Sequence, residues 1–173
     1  MSRFDIPTAR LVLTPLGVRF LDTVNEYALD AENTRYMLHL PNECSQETLA
    51  FLQSVEAEWD REQPDSFEFA MLFQDRHIGA ASIYVEEGTG ELGWIVNKRY
   101  WGRGFATEAA RALVDYFSTH FGVAHFIAHC DGDNVSSRRI MEKLGMERTG
   151  TYGGRRNRSA AQDSTEYQYE LWL

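Results

Sequence analysis

One stretch in the second half of the chain decides the fold: Glu91-Leu-Gly-Trp-Ile-Val-Asn-Lys-Arg-Tyr-Trp-Gly-Arg-Gly-Phe-Ala-Thr-Glu108. Residues 91–96 are typical of a β-strand, and the loop that follows them contains Gly102 and Gly104. Apolar residues then recur at helical spacing from Ala106 to Phe121. The segment therefore predicts a strand that runs through a glycine loop into a helix.

The glycine loop has the chemistry of an anion site. Glycines permit positive φ angles and let a ligand approach the backbone closely. The first N–H groups of a helix have no internal partner, and the helix dipole adds partial positive charge there. Arg99 and Arg103 would add charge, so we expect a pyrophosphate to bind at this helix start. Taken alone, the two glycines are equally consistent with a loop that only turns a strand into a helix.

Two better-known phosphate motifs fit this loop poorly. A Walker loop needs Lys-Ser/Thr after its second glycine, whereas Phe105-Ala106 stands here. A dinucleotide fingerprint wants a third glycine or alanine where this chain has Thr107, and it belongs to a parallel strand–helix–strand unit. The spacing therefore disfavours ATP and dinucleotide sites.

The remaining sequence predicts further strands and helices around this unit. The predicted strands span residues 11–13, 67–73, 77–86, 91–96, 125–130 and 165–173. The predicted helices span residues 18–31, a segment with Ser45 as its N-cap and reaching Trp59, residues 106–121, and a segment capped by Asn134 and ended at Gly145. Three of the strands form an antiparallel meander over residues 67–96. We predict an α/β (α+β) domain spanning 1–173, with a mixed sheet and helices on its faces.

Composition excludes several classes of protein. The chain has 173 residues, 43% of them hydrophobic, and a net charge of −9. Such an acidic chain repels phosphate backbones and disfavours nucleic-acid binding, and it favours cationic substrates unless the charge serves only solubility. No apolar run is long enough for a membrane span, and no signal peptide is evident. Cys44 and Cys130 lack metal-ligand spacing, so we expect reduced thiols, no metal and a cytoplasmic location.

Three motifs together carry a family resemblance. Arg99-x-x-Gly102-x-Gly104, with Phe105-Ala106-Thr107-Glu108 behind it, resembles the acetyl-CoA loop of the GNAT superfamily of N-acetyltransferases. Asn134-x-x-Ser137, leading to Glu142-Lys143-Leu144-Gly145-Met146, is similar to that superfamily's last helix. Thr8-x-Arg10-Leu11-x-Leu13 resembles the opening of the branch that acetylates ribosomal-protein N-termini. The resemblance extends from Thr8 to Leu173 and implies transfer of an acetyl group from acetyl-CoA to a primary amine.

The resemblance also implies where the cofactor lies. In this fold the strand before the loop splays from a central parallel neighbour, and the pantetheine arm of acetyl-CoA occupies the gap between them. The arm would lie between Ile95 and Val96 on one side and His125–Cys130 on the other. The implied cofactor-binding residues are Ile95, Val96, Arg99, Gly102, Arg103, Gly104, Phe105, Ala106, Thr107 and Asn134. For Asn134 the alternative role is plain helix capping.

The expected reaction is direct attack of a neutral amine on the thioester in a ternary complex. Glu91 is our candidate for the base that removes the amine proton, although a solvated carboxylate at a strand end is the alternative. Many members of the family use a tyrosine as the acid, but Met141 stands at its position. Ser137 is therefore our candidate acid, with helix capping as its alternative role. Other residues left open for these roles are Glu86, Glu87, Tyr152 and Tyr169.

Two further functions remain alternatives: an acyl-CoA-binding module without turnover, and a nucleotide-binding regulatory domain. The acceptor could be a protein N-terminus or a small-molecule amine, because residues 34–44 and 152–163, which would contact it, carry no readable code. We expect a monomer or a homodimer, since the final strand could pair with a second copy at the sheet edge.

Overall fold

The computed structural model describes residues 4–173. Its helices are α1 (Leu21–Ala28), α2 (Ser45–Trp59), α3 (Phe105–Phe121) and α4 (Val135–Leu144). Its strands are β1 (Ile6–Pro7), β2 (Leu11–Pro15), β3 (Ser66–Phe73), β4 (Arg76–Glu86), β5 (Thr89–Val96), β6 (His125–Asp131), β7 (Glu147–Arg155) and β8 (Ser164–Trp172). The predicted elements therefore form, with bounds that shift by a few residues.

All eight strands belong to one sheet, in the order β1-β2-β3-β4-β5-β6-β8-β7. Neighbouring strands are antiparallel except for β5 and β6, which are parallel. Strands β3, β4 and β5 form the predicted antiparallel meander. The predicted mixed and mostly antiparallel sheet is thus confirmed.

The central parallel pair separates along its length. The ladder between β5 and β6 runs only from Thr89 opposite His125 to Leu92 opposite Ala128. Strand β5 remains paired with β4 as far as Val96, so it is β6 that diverges. The resulting gap opens toward the end of β5, where the chain leads into α3. This is the splayed pair that the family resemblance implied.

Helices cover both faces of the sheet, as predicted. Helices α3 and α4 bury the larger core, which contains Phe105, Leu113 and Met141 together with Leu92 and Phe126 from the two central strands. The opposite face carries α1 and α2, which pack through a smaller apolar cluster that includes residues of β3 and β4. Because side chains alternate along a strand, each strand of the meander contributes to both faces.

The structure corrects three details of the sequence interpretation. Residues 147–155, to which the sequence analysis assigned no element, form strand β7. Strand β8 lies between β6 and β7, so the edges of the sheet are β1 and β7, and the final strand has no free edge for pairing. Helix α2 is preceded by Cys44 as its N-cap with no side-chain capping bond, so Ser45 is its first residue.

Candidate active site

The glycine loop is shaped by backbone conformation. Gly102 and Gly104 have φ angles of +73° and +78°, a region that residues with a Cβ atom rarely occupy. A Cβ atom at Gly102 would face open space and one at Gly104 would make an ordinary contact with Arg10 at 3.6 Å, so the requirement for glycine is conformational. The first helical bond of α3 runs from the Glu108 N–H to the Gly104 carbonyl at 3.1 Å. The amides of residues 105–107 precede that bond and have no helical acceptor.

The start of the chain holds the first turn of α3 in place. The Glu108 carboxylate accepts the Thr8 hydroxyl at 2.6 Å, and the Arg10 N–H and Nε–H at 2.7 Å each. Arg10 also donates to the Arg103 carbonyl at 2.9 Å. Burial tends to raise the pKa of Glu108, but these hydrogen bonds outweigh it and lower the pKa. The Thr8-x-Arg10 motif and the loop motif that ends at Glu108 are therefore in direct contact, and we call Thr8, Arg10 and Glu108 together the Glu108 clamp.

The two predicted loop arginines have different surroundings. The Arg103 guanidinium lies 5.0 Å from the ring centroids of both Phe73 and Phe105, directly beside the helix start. The Arg99 guanidinium instead forms an ion pair with Glu26 at 3.2 Å. Only Arg103 is thus held close to the amides of the glycine loop.

Asn134 and Ser137 lie together at the start of α4. The Asn134 side-chain oxygen accepts the Ser137 N–H at 3.1 Å, which is the capping role. The Ser137 hydroxyl oxygen accepts the Trp94 indole N–H at 3.2 Å. Because that oxygen serves as an acceptor, its own hydrogen is available to another acceptor. Met141 is fully buried in the core, so the family's usual position for an acid holds none here.

Glu91 is part of a polar chain that crosses the splayed pair. Its carboxylate lies 2.9 Å from His129 Nδ1, and His129 Nε2 lies 3.1 Å from the Gln168 side-chain oxygen. The hydrogen bond between them lowers the pKa of Glu91 and raises the pKa of His129. The Glu91 side chain is 45% exposed and that of His129 22%. By strand alternation, Glu91 lies on the face of the sheet opposite to Trp94 and Ser137.

The end of β5 is fixed by a residue that the sequence analysis missed. The buried Asn33 side chain donates to the Val96 carbonyl at 3.0 Å and accepts the Lys98 N–H at 2.6 Å. The Trp101 indole N–H donates to the same carbonyl at 2.7 Å. The Val96 carbonyl is thus saturated by the protein, and the strand end is held rigidly beside the gap.

A second missed residue joins the two segments expected to contact the acceptor. The Asn157 amide lies within 2.7–2.8 Å of the carbonyls of Thr34, Met37 and Leu40. A cleft of about 490 Å³ lies beside it, lined by His39 and residues 156–158. Residues 34–44 and 152–163, which are far apart in sequence, therefore form one surface.

Two kinds of feature do not occur in residues 4–173. This part of the chain has no group of three or more His, Cys, Asp or Glu side chains placed to hold a metal ion. None of its helices has the length and apolar character needed to cross a membrane.

Comparison with known proteins agrees with this geometry. The profile of the acetyltransferase (GNAT) domain family matches residues 10–147. An uncharacterized N-acetyltransferase of Bacillus subtilis, YnaD, is 29% identical over 152 residues, which is 85% of each chain. A second uncharacterized N-acetyltransferase, p20 of Bacillus licheniformis, is 26% identical and covers 83% of this chain and 82% of its own.

Solved structures share the whole fold. A GNAT-family acetyltransferase from Bacillus anthracis superimposes with a TM-score of 0.81 at 25% identity, covering 98% of both chains. RimL, a ribosomal L7/L12 α-N-protein acetyltransferase solved in complex with coenzyme A, has a TM-score of 0.86 at 15% identity and the same coverage. The family match spans most of the chain, and the fold, the splayed pair and the glycine loop accord with it, so this chain belongs to the GNAT family of acetyltransferases.

Proposed function

We propose that this N-acetyltransferase transfers the acetyl group of acetyl-CoA to a primary amine by direct attack in a ternary complex. The observation that carries the proposal is the gap between β5 and β6, which opens beside the unpaired amides of the glycine loop. An extended acyl-pantetheine arm needs such a gap between strands, and a pyrophosphate needs such a helix start. The two lie next to each other here.

The residues at the gap fit acetyl-CoA by their chemistry. The amides of residues 102–107 and the Arg103 guanidinium would hold the pyrophosphate, and Arg99 would contribute after release from Glu26. The Val96 N–H would bond the pantetheine arm, because the Val96 carbonyl already accepts from Asn33 and Trp101, and Ile95 would line the gap beside it. Since the Asn134 oxygen caps α4, its amide nitrogen is the group that would bond the arm.

Glu91 would accept the amine proton as one member of a pair with His129. While both partners are charged, the His129 imidazolium can take no further proton, and the Glu91 carboxylate is a poor base because its pKa is lowered. Above the raised pKa of His129 the pair carries one proton fewer and can accept the proton that the amine releases. Glu91 is the more exposed partner and would meet the amine. Transfer should therefore quicken as pH rises through the pKa of His129.

Ser137 would act from the other face of the sheet as the acid for the leaving group. Trp94 donates to its oxygen, so the hydroxyl hydrogen is free for another acceptor, and a thiolate in the gap would be that acceptor. The amine would approach from the face that carries Glu91, so the two roles are separated by the sheet. The acceptor class remains a protein N-terminus, as for RimL, or a small-molecule amine.

A thermal melt with acetyl-CoA, CoA, ATP and NAD in parallel tests the cofactor. Only ligands that bind the native state raise the midpoint, so acetyl-CoA and CoA should shift it while ATP and NAD should not. An amine panel with a free-thiol readout then tests turnover, which we expect to persist in the presence of a chelator. A CoA shift without thiol release for any amine would favour a non-catalytic acyl-CoA-binding module.

Variants then separate the two catalytic roles. Glu91→Gln should lower kcat by roughly 10²–10⁴-fold, the usual contribution of a general base. Ser137→Ala should lower kcat less, because CoA thiolate is already a fair leaving group. Both variants should bind CoA normally by calorimetry, since neither side chain lies in the glycine loop. Unchanged rates in Glu91→Gln would remove it from the mechanism.

A further inference from the structure

A row of side chains crosses the face of the sheet that carries Glu91. Glu68 of β3 is opposite Ser82 of β4, and Ser82 is opposite Gly93 of β5. Beyond the gap, His129 of β6 is opposite Gln168 of β8. Gly93 is the first residue of β5 past the last rung shared with β6, so the row meets the gap where the acetyl group is expected.

The side chains in the middle of this row are small, so the surface of the sheet is depressed there. Gly93 has no side chain, and a Cβ atom built there would lie 2.6 Å from the Ser82 hydroxyl oxygen. The small Ser82 side chain therefore lies against the β5 backbone. Glu68, Ser82 and Gly93 are all partly exposed, whereas the neighbouring residues that point to the other face, such as Phe67 and Leu92, are buried. We call this depression, from Glu68 to Gly93, the trench.

Glu68 closes one end of the trench. Within residues 4–173 no side chain donates a hydrogen bond to its carboxyl group or forms an ion pair with it. Neighbouring protein displaces part of the water around the carboxyl, and this partial burial raises the pKa of Glu68 to about 7. The titratable group that faces it from α1 is the Tyr27 hydroxyl, whose pKa is raised by burial and by Glu68. The site thus holds an acid without a cationic partner.

An ionised carboxylate that is partly buried and has no partner raises the free energy of the folded protein, and a bound cation would offset that increase. Glu68 and Gly93 are separated by two strand spacings, which is roughly 10 Å. We propose that the trench binds a second cationic group of the acceptor, so that Glu68 selects short aliphatic diamines over monoamines. One amine would lie over Gly93 beside the thioester while the other, as an ammonium ion, pairs with the Glu68 carboxylate.

This inference rests on the proposed function, since it places the reacting amine at the gap. The small residues of the trench floor leave room for a methylene chain, and the chain's net charge of −9 favours a dication. The proton of the reacting amine still passes to the Glu91–His129 pair. Glu68 touches only the remote ammonium group, so it is a specificity residue.

The test compares initial rates for a linear alkyl monoamine and for α,ω-diamines of increasing chain length at pH 8. For the wild-type chain we expect kcat/KM to peak at a diamine with about three to five methylene groups, since the trench spans roughly 10 Å. Glu68→Gln should lower kcat/KM for that diamine at least tenfold, through KM, and change the monoamine value less than twofold. Glu62→Gln, at an exposed position, is the matched control and should change neither value.

Several outcomes would overturn the inference. An equal fall in kcat for monoamine and diamine in Glu68→Gln would make Glu68 part of the proton-transfer machinery. Equal rates for both amine classes in the wild type, or no effect of the variant, would leave the acetyltransferase intact and remove the diamine site. If no amine were acetylated, calorimetry of the diamine with wild-type and Glu68→Gln chains in the presence of CoA would still decide: tenfold weaker binding by the variant supports the site, and equal binding refutes it.

Discussion

The two faces of the sheet around β5 are built in different ways. On the α3 and α4 face, the site consists of backbone amides, two left-handed glycines and a buried apolar core. On the α1 and α2 face, it consists of polar side chains, some partly exposed and some buried, brought together from distant segments. A site made of backbone amides suits a cofactor whose structure is always the same. A site made of side chains can be changed by single substitutions, which suits the binding of different acceptors.

The largest effect on ligand affinity should come from the glycine loop, on the α3 and α4 face where we propose that acetyl-CoA binds. Gly104→Val forces a β-branched residue into the left-handed region, which costs about 1–3 kcal/mol, and the loop should relieve this by turning its amides away from the pyrophosphate. We expect CoA binding to weaken roughly a hundredfold by calorimetry, which corresponds to about 2.7 kcal/mol.

Gly88→Val is the matched control for that variant. Gly88 has a similar φ of +81°, faces open space and lies in the turn between β4 and β5. It should destabilise the fold by a similar amount and leave CoA affinity unchanged. Equal loss of CoA affinity in both variants would mean that the effect is general destabilisation.

The next largest effect should be confined to the α1 and α2 face, where we propose that the amine binds. Asn157→Ala leaves the carbonyls of Thr34, Met37 and Leu40 without this donor group, at a cost of about 2–3 kcal/mol in unfolding free energy. Denaturant unfolding measures that loss. The KM for the amine should rise while the Kd for CoA stays the same, and the neighbouring exposed variant Arg156→Ala should change stability little. A weaker CoA affinity in Asn157→Ala would show that the two faces are not independent.

A pH dependence should come from Glu68. Its folded-state pKa of about 7 lies above the ordinary 4.5, so ionisation destabilises the fold increasingly as pH rises from about 4.5 to 7. Glu68→Gln abolishes this ionisation and should be more stable than the wild type by about 2 kcal/mol at pH 8. The difference measured by denaturant unfolding should shrink as pH falls toward 4.5. A variant that is less stable than the wild type at pH 8 would mean that the carboxylate has a partner.

The smallest effect should come from the Glu108 clamp. Glu108→Gln removes the charge that pairs with Arg10 and should cost about 1 kcal/mol at pH 7. Because the folded-state pKa of Glu108 is lowered, the carboxylate stabilises the fold above pH 4.5 and loses that effect as pH falls through the lowered value. Unfolding at pH 7 and at pH 3 should therefore show a difference that narrows in acid.

The sequence predicts well those elements and helix caps that depend on residues close together in the chain. The strand–loop–helix unit of residues 91–121 and the α4 cap at Asn134 each depend on contacts within a few positions, and so each leaves a readable pattern. Strand β7 was missed because it is an exposed edge strand with almost no buried residue, so its sequence shows no apolar alternation.

The missed site residues share a different cause. Asn33 bonds a residue 63 positions away, and Asn157 bonds residues about 120 positions away, so no local spacing marks either of them. Glu68 looked like an ordinary solvent-side residue between Phe67 and Phe69. Its raised pKa depends on surroundings that are distant in sequence, among them Tyr27 of α1.

The Glu108 clamp has a consequence for hydrogen exchange. Thr8 and Arg10 grip the first turn of α3, whose preceding amides would hold the pyrophosphate, so the opening strands and the cofactor loop should fluctuate as one unit. Adding CoA should therefore slow amide exchange at residues 8–11 as well as in the loop. Amide exchange at residues 8–11 would then report on whether CoA occupies the glycine loop.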